Sequence, residues 1–352
     1  MSQRTELYRA QILKSEFHLI AKNSTKFIKN VRKRRFLVHG GTGFVGKWIV
    51  STILFMNEYY GTENEITIVT RNIDNARKIL EIKENDAVKL IELDLGLKEQ
   101  TFPKKITYDY YICGITPTIT STGSDQKELV LKSTFNSMSS LISNAVKNLN
   151  SNPMILNLSS GAVYDRTNIG NFKYSEGDPT EKSGNEYSLA KKISENQLIE
   201  ASLKYDLKFI NARLFAFTGP HLALNEHFAI GNFMNFALKG QMIQMTGSPN
   251  TLRSYLHPTD LMIYLFKLLI FDENLTVNVG SDVAVSMQEL AEYFASHFHL
   301  PGIKHFGLNA VPSFYVPNTD FLRQLTKFSP IYTWQNAIAN WYEWLLCKQK
   351  SV

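Results

Sequence analysis

Tyr187 and Lys191 are the two residues whose types and spacing most clearly point to chemistry. Of the 16 tyrosines in the chain, Tyr187 alone is followed by a lysine four residues later. Both lie at the start of a segment, 185–204, that is predicted to be helical, and this spacing puts their side chains on one helix face. A tyrosine side chain with its ordinary pKa of about 10 is a poor base at neutral pH, but a neighbouring ammonium group favours the phenolate. The pair is therefore a candidate acid/base for a substrate hydroxyl group.

Ser160 is a second candidate for the same chemistry. It follows the apolar run Met154–Ser159, which predicts a buried β-strand, and it precedes the small residues Gly161 and Ala162. Ligands of parallel sheets bind outside the carboxyl ends of the strands. A hydroxyl group at this position is therefore placed to act on a bound substrate.

A glycine-rich turn at residues 40–46 predicts a binding site for a dinucleotide. The run Phe36–His39 predicts a strand, and a helical pattern follows from 44 to 58. A turn without side chains lets backbone N–H groups approach a pyrophosphate, which then lies at the positive end of the helix. Taken alone, an ordinary glycine turn would show the same pattern. The residues expected to bind the cofactor here are Gly40, Gly43, Phe44, Val45 and Gly46.

Arg71, Asp94 and Leu95 follow the next two predicted strands, Ile66–Thr70 and Val88–Leu93, and complete the expected cofactor site. A free ribose 2′-hydroxyl usually meets an acidic residue after the second strand, whereas a 2′-phosphate favours arginine. Within a general NAD(P) prediction, Arg71 therefore favours NADP; the alternative is that it stacks on the adenine or faces solvent. Asp94 is a candidate acceptor for the adenine amino group or a residue of a strand-end turn.

Strand and helix patterns alternate from residue 36 to residue 214. This alternation predicts an α/β fold, a Rossmann-type doubly wound parallel sheet. Beyond Pro220 the pattern is irregular and predicts a smaller C-terminal region that binds substrate. The expected divisions are a basic helical extension at 1–35, a dinucleotide-binding domain at 36–216 and a mainly substrate-binding region at 217–352, of which about 255–281 returns to the first domain.

The charge distribution separates the first 35 residues from the rest. They carry ten Lys and Arg against two Asp and Glu, a net charge of +8, so the total of +6 leaves −2 for residues 36–352. A nearly neutral body gives no support for nucleic-acid binding.

No apolar run is long enough for a membrane span, and the N-terminus lacks the apolar core of a signal peptide. Two cysteines provide neither a disulfide framework nor a metal site, so we expect a cytoplasmic protein.

An amphipathic helix is predicted at residues 5–22, with Ala10, Leu13, Phe17 and Ile20 on one face. A basic amphipathic segment can lie on a membrane surface or bind a partner. We favour the alternative that this helix packs on its own domain or on a second subunit.

Four further motifs occur in the order found in a known family. They are Ser160–Tyr164 (SGAVY), Arg213–Pro220 (RLFAFTGP), Arg253–Asp260 (RSYLHPTD) and Asn278–Gly280 (NVG). With the glycine turn and the Tyr187/Lys191 pair, they resemble the extended short-chain dehydrogenase/reductase family, and within it the nucleotide-sugar epimerases, dehydratases and reductases. The resemblance covers about residues 36–300 and implies an enzyme that acts on a nucleotide-diphosphate sugar.

The resemblance implies a role for each reacting residue. Tyr187 would be the acid/base, and Lys191 would hold the cofactor ribose and tune the tyrosine. Ser160 would share the proton of the reacting hydroxyl. The family also implies a homodimer, joined through helices that include the one carrying Tyr187.

Substrate contacts are implied for Asn232 and Arg253, which would bind the diphosphate, and for Ser160 and Ala162. The planar fork of arginine can bind phosphate with two hydrogen bonds. A helix cap is the alternative for Asn232. Ala216 stands where the family commonly has asparagine, a departure on the substrate side of the site.

Gly161 and Ala162 bear on which reaction is catalysed. Dehydratases of the family carry one or two carboxylates directly after the Ser/Thr, because they must remove the C5 proton and expel the C6 hydroxyl. These two positions have no ionisable side chain here, which favours hydride transfer at sugar C4, as in an epimerase or a 4-ketoreductase. The alternative is a dehydratase or decarboxylase with displaced groups from Glu176, Asp165 or His227, and a non-catalytic dinucleotide sensor is more distant.

Overall fold

The computed structural model describes residues 3–82, 87–94, 107–114, 124–165, 172–180, 185–224 and 228–349. Leu95 and His227, named above as candidates, lie outside these ranges. The described helices are α1 Gln3–Asn23, α2 Thr25–Asn30, α3 Phe44–Tyr60, α4 Ile73–Leu80, α5 Ser124–Val146, α6 Glu186–Tyr205, α7 Ala229–Lys239, α8 Pro258–Leu268, α9 Met287–His297, α10 Asp320–Thr326 and α11 Trp334–Gln349. None of them is both long enough and apolar enough to cross a membrane.

The described strands are β1 Arg35–His39, β2 Glu65–Thr70, β3 Val88–Glu92, β4 Tyr110–Cys113, β5 Met154–Ser160, β6 Lys173–Tyr174, β7 Lys208–Leu214, β8 Ile243–Met245, β9 Leu252–Arg253, β10 Leu275–Val279, β11 Val285–Ser286, β12 Ile303–His305 and β13 Phe314–Pro317. Seven of them form one sheet in the order β10-β7-β5-β4-β1-β2-β3, and all its pairings are parallel. This confirms the predicted α/β fold with a Rossmann-type sheet. The carboxyl ends of all seven strands therefore meet at one edge.

Strand β5 lies inside this sheet between β4 and β7, and all seven of its residues are buried. Burial on both faces explains its continuous apolar run. Strand β4 begins at Tyr110. The residue before it, Asp109, accepts the backbone N–H of Arg35 at 2.8 Å and Nη1 of Arg34 at 2.8 Å through its carboxylate.

Short strands that the sequence patterns did not predict form a four-stranded sheet in the order β11-β9-β13-β6 and the two-stranded pair β12-β8. All of them except β6 lie in the C-terminal region. Helices α7, α9 and α11 enclose a second apolar core there, around Phe233, Phe294 and Trp341. Within the same region, β10 pairs with β7 and extends the large sheet. The division near residue 217 stays a prediction.

Helix α1 packs on the body of the protein, against α3, α8 and α11. Ile20 is fully buried, and the ring centroid of Phe17 lies 5.6 Å from that of Trp48. Leu13 also packs against the core, whereas Ala10 is exposed. Three of the four residues in the predicted stripe therefore pack against the core, as expected for a helix that lies on its own domain.

Glu16 anchors this helix through a buried polar network. Its carboxylate accepts hydrogen bonds from Thr259 Oγ1 at 2.6 Å, Tyr332 Oη at 2.6 Å and Asn340 Nδ2 at 3.1 Å. Burial raises the pKa of Glu16, and these three hydrogen bonds oppose the rise. The network fastens α1 to α8 and α11.

Besides Thr259, two further residues of the RSYLHPTD segment belong to the same network. The carboxylate of Asp260 accepts the backbone N–H groups of Ile331 at 2.8 Å and Tyr332 at 3.1 Å, and burial raises its pKa to about 6. His257 caps α8 by accepting the N–H of Thr259 at 3.2 Å, and burial lowers its pKa to about 3. These two motif residues therefore support the fold.

Candidate active site

The glycine turn between β1 and α3 has the shape that a pyrophosphate requires. Gly40 has a φ of +86°, and a Cβ on Gly46 would lie 2.1 Å from the carbonyl oxygen of Gly40. Glycine is thus required by conformation at the first position and by space at the second. Gly43 is the N-cap of α3 and provides no side-chain cap, which leaves the first N–H groups of the helix, at Phe44 and Val45, for an anion. The turn fits a dinucleotide.

Arg71 and Asp94 lie at the same edge, beyond β2 and β3. Arg71 is exposed and Asp94 is half-buried. Burial, together with the charge of Arg71, lowers the pKa of His39, the last residue of β1, to about 3. Arg71 stands two residues after Val69, the register partner of His39, and is therefore close to the start of the glycine turn, while Leu95 lies outside the described residues.

Ser160 is the last residue of β5 and lies at the carboxyl edge of the sheet. It is 5% exposed. Its Oγ accepts the backbone N–H of Ala162 at 3.1 Å and lies 3.1 Å from the phenol oxygen of Tyr315. The side chain is thus held in one place from two sides.

Tyr187 and Lys191 lie in the first turns of α6, which begins at the N-cap Asn185. The Lys191 side chain is buried, and its Nζ donates to the carbonyl oxygen of Leu158 in β5 at 2.7 Å. The same Nζ lies 5.7 Å from the ring centroid of Tyr187. Because Leu158 precedes Ser160 by two residues, the fold brings Ser160, Tyr187 and Lys191 to the end of the same strand.

A buried ion pair holds α6 against the sheet. Glu195, one turn beyond Lys191, accepts two hydrogen bonds from Arg213 of β7, with Nη2 to Oε2 at 2.8 Å and Nε to Oε1 at 3.0 Å. Its Oε1 also accepts the hydroxyl of Ser159 at 2.5 Å. A two-pronged pair of this kind fixes orientation as well as distance.

Three of the sequence motifs meet behind this pair. Arg213 Nη1 donates to Tyr164 Oη at 2.9 Å, and Tyr164 Oη donates to Asn278 Oδ1 at 2.7 Å. These residues come from the RLFAFTGP, SGAVY and NVG segments. Their polar side chains satisfy each other inside the protein, so in this structure they position the strand ends that carry the site.

Gly161 and Ala162 are enclosed, which explains why they are small. A Cβ on Gly161 would lie 2.5 Å from the ring of Phe215, and Ala162 is 4% exposed. Phe215 therefore occupies the space that a side chain at position 161 would need. No carboxylate fits at position 161 without moving this ring.

Two of the three candidates for displaced acid/base groups, Glu176 and Asp165, lie within the described residues. Glu176 is half-buried, and its Oε1 accepts the backbone N–H of Asn278 at 2.9 Å. The backbone N–H of Asp165 donates to Pro179 at 3.0 Å, and His227 lies outside the described residues. Among the described residues, no group of three or more His, Cys, Asp or Glu side chains could hold a metal ion.

Arg253 and Asn232, the predicted diphosphate contacts, lie in the C-terminal region. Arg253 is half-buried, with its guanidinium donating to the carbonyl oxygen and the Oγ of Ser313 at 3.0 and 2.9 Å. Asn232 lies one turn inside α7, whose N-cap is Phe228. The alternative of a helix cap for Asn232 is therefore wrong.

The sequence of this chain matches a family model. The model for the NAD dependent epimerase/dehydratase family matches residues 36–280. This chain belongs to that family. Three UDP-glucuronic acid decarboxylases of Arabidopsis thaliana are each 24% identical to it over 106 residues, a match that spans 30% of this chain and 31% of each of these curated relatives.

Solved structures of nucleotide-sugar enzymes share the fold of this epimerase/dehydratase family member. A UDP-N-acetylglucosamine 4-epimerase from Methanobrevibacter ruminantium, in complex with UDP-N-acetylmuramic acid, has a TM-score of 0.74 at 18% identity, covering 90% of this chain and 99% of its own. A dTDP-glucose 4,6-dehydratase from Bacillus anthracis, in complex with NAD, has a TM-score of 0.72 at 17% identity, covering 90% and 98%. Identities this low indicate a common fold.

Tyr315 is the residue of the family member's candidate site that sequence reasoning missed. Its phenol reaches Ser160 from β13, a strand of four residues in the four-stranded sheet, which we call the small sheet. Neither a motif nor a periodic pattern marks it. The one available signal was its chemistry, since it is a tyrosine in a region assigned to the substrate.

Proposed function

We propose that this chain catalyses hydride transfer at C4 of a nucleotide-diphosphate sugar, as a 4-epimerase or a 4-ketoreductase. The observation that carries the proposal is the environment of Ser160. Tyr187 and Lys191 converge on the end of its strand, and Phe215 fills the space beside Gly161 where further acid/base chemistry would need a side chain.

Each reacting side chain has a task in this proposal. Tyr187 takes the proton of the C4 hydroxyl, and Ser160 holds the C4 oxygen by a hydrogen bond. The Nζ of Lys191 lies beside Tyr187, 5.7 Å from the centroid of its ring. Because an ammonium group has three donors and one is used for Leu158, Lys191 has donors left for the cofactor ribose.

The cofactor would lie along the carboxyl edge of the large sheet. Its pyrophosphate would bind the N–H groups of Phe44 and Val45, beside Gly43 and in the space kept open by Gly40 and Gly46. When bound, the nicotinamide ring supplies the acceptor and the donor of the hydride. At the adenosine end, the exposed Arg71 suits a 2′-phosphate and favours NADP, and Asp94 would accept the adenine amino group.

Arg253 and Asn232 would bind the diphosphate of the substrate. The guanidinium of Arg253 has five donors, and the hydrogen bonds to Ser313 orient it at the edge of β9. A guanidinium that binds the diphosphate does not contact the sugar and so does not distinguish one sugar from another. Other residues of the site must therefore select the sugar.

The similarity to UDP-glucuronic acid decarboxylases and to a 4,6-dehydratase makes those reactions the competing candidates. Both involve chemistry beyond the exchange of hydride at C4. The packing of Gly161 and Ala162 offers no group for it, and the Glu176 carboxylate is engaged by the backbone of Asn278. This favours the simpler reaction.

The first experiment releases any bound dinucleotide from the denatured protein and identifies it by mass spectrometry. Nearly stoichiometric NAD⁺ or NADP⁺ would indicate that hydride is taken and returned in one cycle, as in an epimerase. An empty site that binds NADPH reversibly would indicate a 4-ketoreductase. A protein that binds neither cofactor would contradict the proposal.

Tyr187→Phe is the matching test of catalysis. Loss of the acid/base should lower kcat at least about 100-fold, measured with UDP-glucose, UDP-N-acetylglucosamine and dTDP-glucose as probes. Cofactor affinity, measured by fluorescence titration, should stay within about threefold of the wild type because the phenol oxygen is the only atom removed. A non-catalytic sensor would show no turnover in either protein.

A homodimer in the cytoplasm completes the proposal. Helices α5 and α6 pack side by side, and their outer faces expose Leu129, Phe135, Ile199 and Leu203. Exposed apolar groups on adjacent helices are typical of an interface. Both cysteines, Cys113 and Cys347, are buried and form no disulfide with each other, which suits a reducing compartment.

A further inference from the structure

Tyr315 connects the reacting serine to the small sheet. Its phenol oxygen lies 3.1 Å from Ser160 Oγ and 3.2 Å from the carbonyl oxygen of Leu214. Its ring lies against that of Phe215, with centroids 4.7 Å apart. In the small sheet, Tyr315 is the register partner of Arg253. One short strand therefore reaches both the reacting end of the site and its proposed diphosphate end.

The number of hydrogen atoms restricts how this contact can work. A phenol has one hydrogen, and the carbonyl of Leu214 can only accept. When Tyr315 donates to Leu214, its oxygen accepts the hydrogen of Ser160. Because Ser160 Oγ already accepts the N–H of Ala162 at 3.1 Å, it keeps one lone pair. In this state Ser160 can accept a hydrogen bond from a substrate alcohol but cannot donate to a ketone.

The opposite state arises when Tyr315 turns its hydrogen towards Ser160. Ser160 then accepts from both Tyr315 and Ala162, and its own hydrogen is available for a ketone oxygen. The change requires only the rotation of two O–H bonds, and no covalent bond forms or breaks. The C4 alcohol has one hydrogen. In the first state it can donate this hydrogen to Ser160; once the hydrogen has turned to Tyr187 and been taken by it, the second state lets Ser160 donate to the oxygen that becomes the ketone.

We infer that Tyr315 is a positioning residue that lets Ser160 accept a hydrogen bond from the C4 alcohol and donate one to the C4 ketone. This inference rests on the proposed function, since it places the C4 oxygen against Ser160. It gives the small sheet a part in the reaction itself, in addition to any part in binding.

Tyr315→Phe tests the inference because it removes one oxygen and keeps the ring on Phe215. We expect kcat to fall about three- to tenfold, as for the loss of one hydrogen bond between neutral groups, while KM for the sugar that the wild type turns over changes less than about twofold. The matched control is Tyr293→Phe. It removes another half-buried hydroxyl that donates to a backbone carbonyl, that of Gln335 at 3.2 Å, and it should leave kcat unchanged.

A double-mutant cycle decides whether the phenol acts through Ser160. In a Ser160→Ala background, Tyr315→Phe should lower kcat by less than about 1.5-fold, because the group that it orients is gone. Equal losses in both backgrounds, or a loss confined to KM, would overturn the inference. So would a Tyr315→Phe enzyme with the kcat of the wild type.

The two proposals fail in different ways. If Tyr187→Phe retains the activity of the wild type, the proposed function is wrong. If Tyr187→Phe is inactive while Tyr315→Phe behaves like the Tyr293→Phe control, the proposed function stands and only the inference about Tyr315 is wrong.

Discussion

Gly161 illustrates, at the scale of single residues, how packing can restrict chemistry. A family dehydratase would carry a carboxylate near this position, and the ring of Phe215 takes its place here, 2.5 Å from where a Cβ would stand. A side chain at Gly161 therefore requires movement of a buried aromatic ring that also supports Tyr315. The ring of Phe215 therefore restricts which residue can stand at position 161 as much as the glycine itself does.

Gly161→Ala should therefore destabilise the protein. Overpacking of a buried site typically lowers the free energy of unfolding by about 1–3 kcal/mol, which thermal unfolding would detect. The matched control is Gly177→Ala, where a Cβ would meet nothing within 4 Å, and the change should stay within about 0.5 kcal/mol. Equal melting temperatures for the two variants would show that Phe215 yields without penalty.

The residues of the site differ in how far the sequence could reveal them. Tyr187 and Lys191 are four residues apart on one helix, so local geometry predicts their proximity. Ser160 follows a readable strand. The contact between Ser160 and Tyr315 joins positions 155 residues apart, and nothing local to either residue encodes it.

At the scale of elements, the position of α6 depends on the buried pair Glu195–Arg213. The helix carries Tyr187 and Lys191 on the face that also carries Glu195, since residues four apart share a helix face. The side chains of the pair are 4% and 9% exposed, so removal of one partner leaves a buried charge. Such losses typically reduce stability by about 3–5 kcal/mol.

Glu195→Gln should accordingly lower the free energy of unfolding by about 3 kcal/mol and also reduce turnover, since α6 loses its attachment to β7. Glu128→Gln is the control. It breaks an ion pair with Lys132 in which both side chains are about two-thirds exposed, and exposed pairs contribute little. Urea unfolding and steady-state kinetics on both variants would check the expectation; similar effects of the two substitutions would contradict it.

The large sheet could be predicted from the sequence because its strands are buried on both faces and leave continuous apolar runs between helical patterns. The small strands could not. Strands β6, β9 and β11 have two residues each, too few for any periodicity, and tertiary contacts determine them. The packing of α1 against α8 could not be predicted from the sequence either, although the apolar stripe indicated that α1 packs against another part of the protein.

At the scale of the whole molecule, stability depends on buried groups that titrate. His39 and His257 have pKa values lowered to about 3 by burial, so between about pH 6.5 and pH 3 the unfolded chain binds protons there that the folded chain does not. Their contribution to stability therefore falls as the pH is lowered through this window. Asp260 and Glu16 act in the opposite sense, because burial raises their pKa values.

His257→Asn isolates one of these contributions. Asparagine can still cap α8 but does not titrate, so the variant should lose stability less steeply than the wild type as the pH falls below 6.5. The difference in slope should approach about 1.4 kcal/mol per pH unit, equivalent to one proton. Urea unfolding at several pH values between 7.5 and 4.5 measures it. Parallel curves would mean that His257 is not neutral in the folded protein.

The proposed dimer predicts a mass of two chains of 40.2 kDa in multi-angle light scattering. Leu203→Arg should give a monomer, because Leu203 is 80% exposed on α6 and a charge there would have to be buried at the interface. Val311→Arg changes a side chain that is 88% exposed in the C-terminal region and should leave the dimer intact. A monomeric wild-type protein would contradict the proposal.

The docking of α1 also has a consequence for biosynthesis. Glu16 precedes its partners Thr259, Tyr332 and Asn340 by 243, 316 and 324 residues. While the chain emerges from the ribosome, Phe17 can already pack against Trp48 of α3, but the Glu16 carboxylate has none of these three partners until α8 and α11 have been translated. The docking of α1 therefore stays incomplete until Asn340, 324 residues after Glu16, has been added. Such a delay makes α1 a natural place for a chaperone to hold the nascent chain.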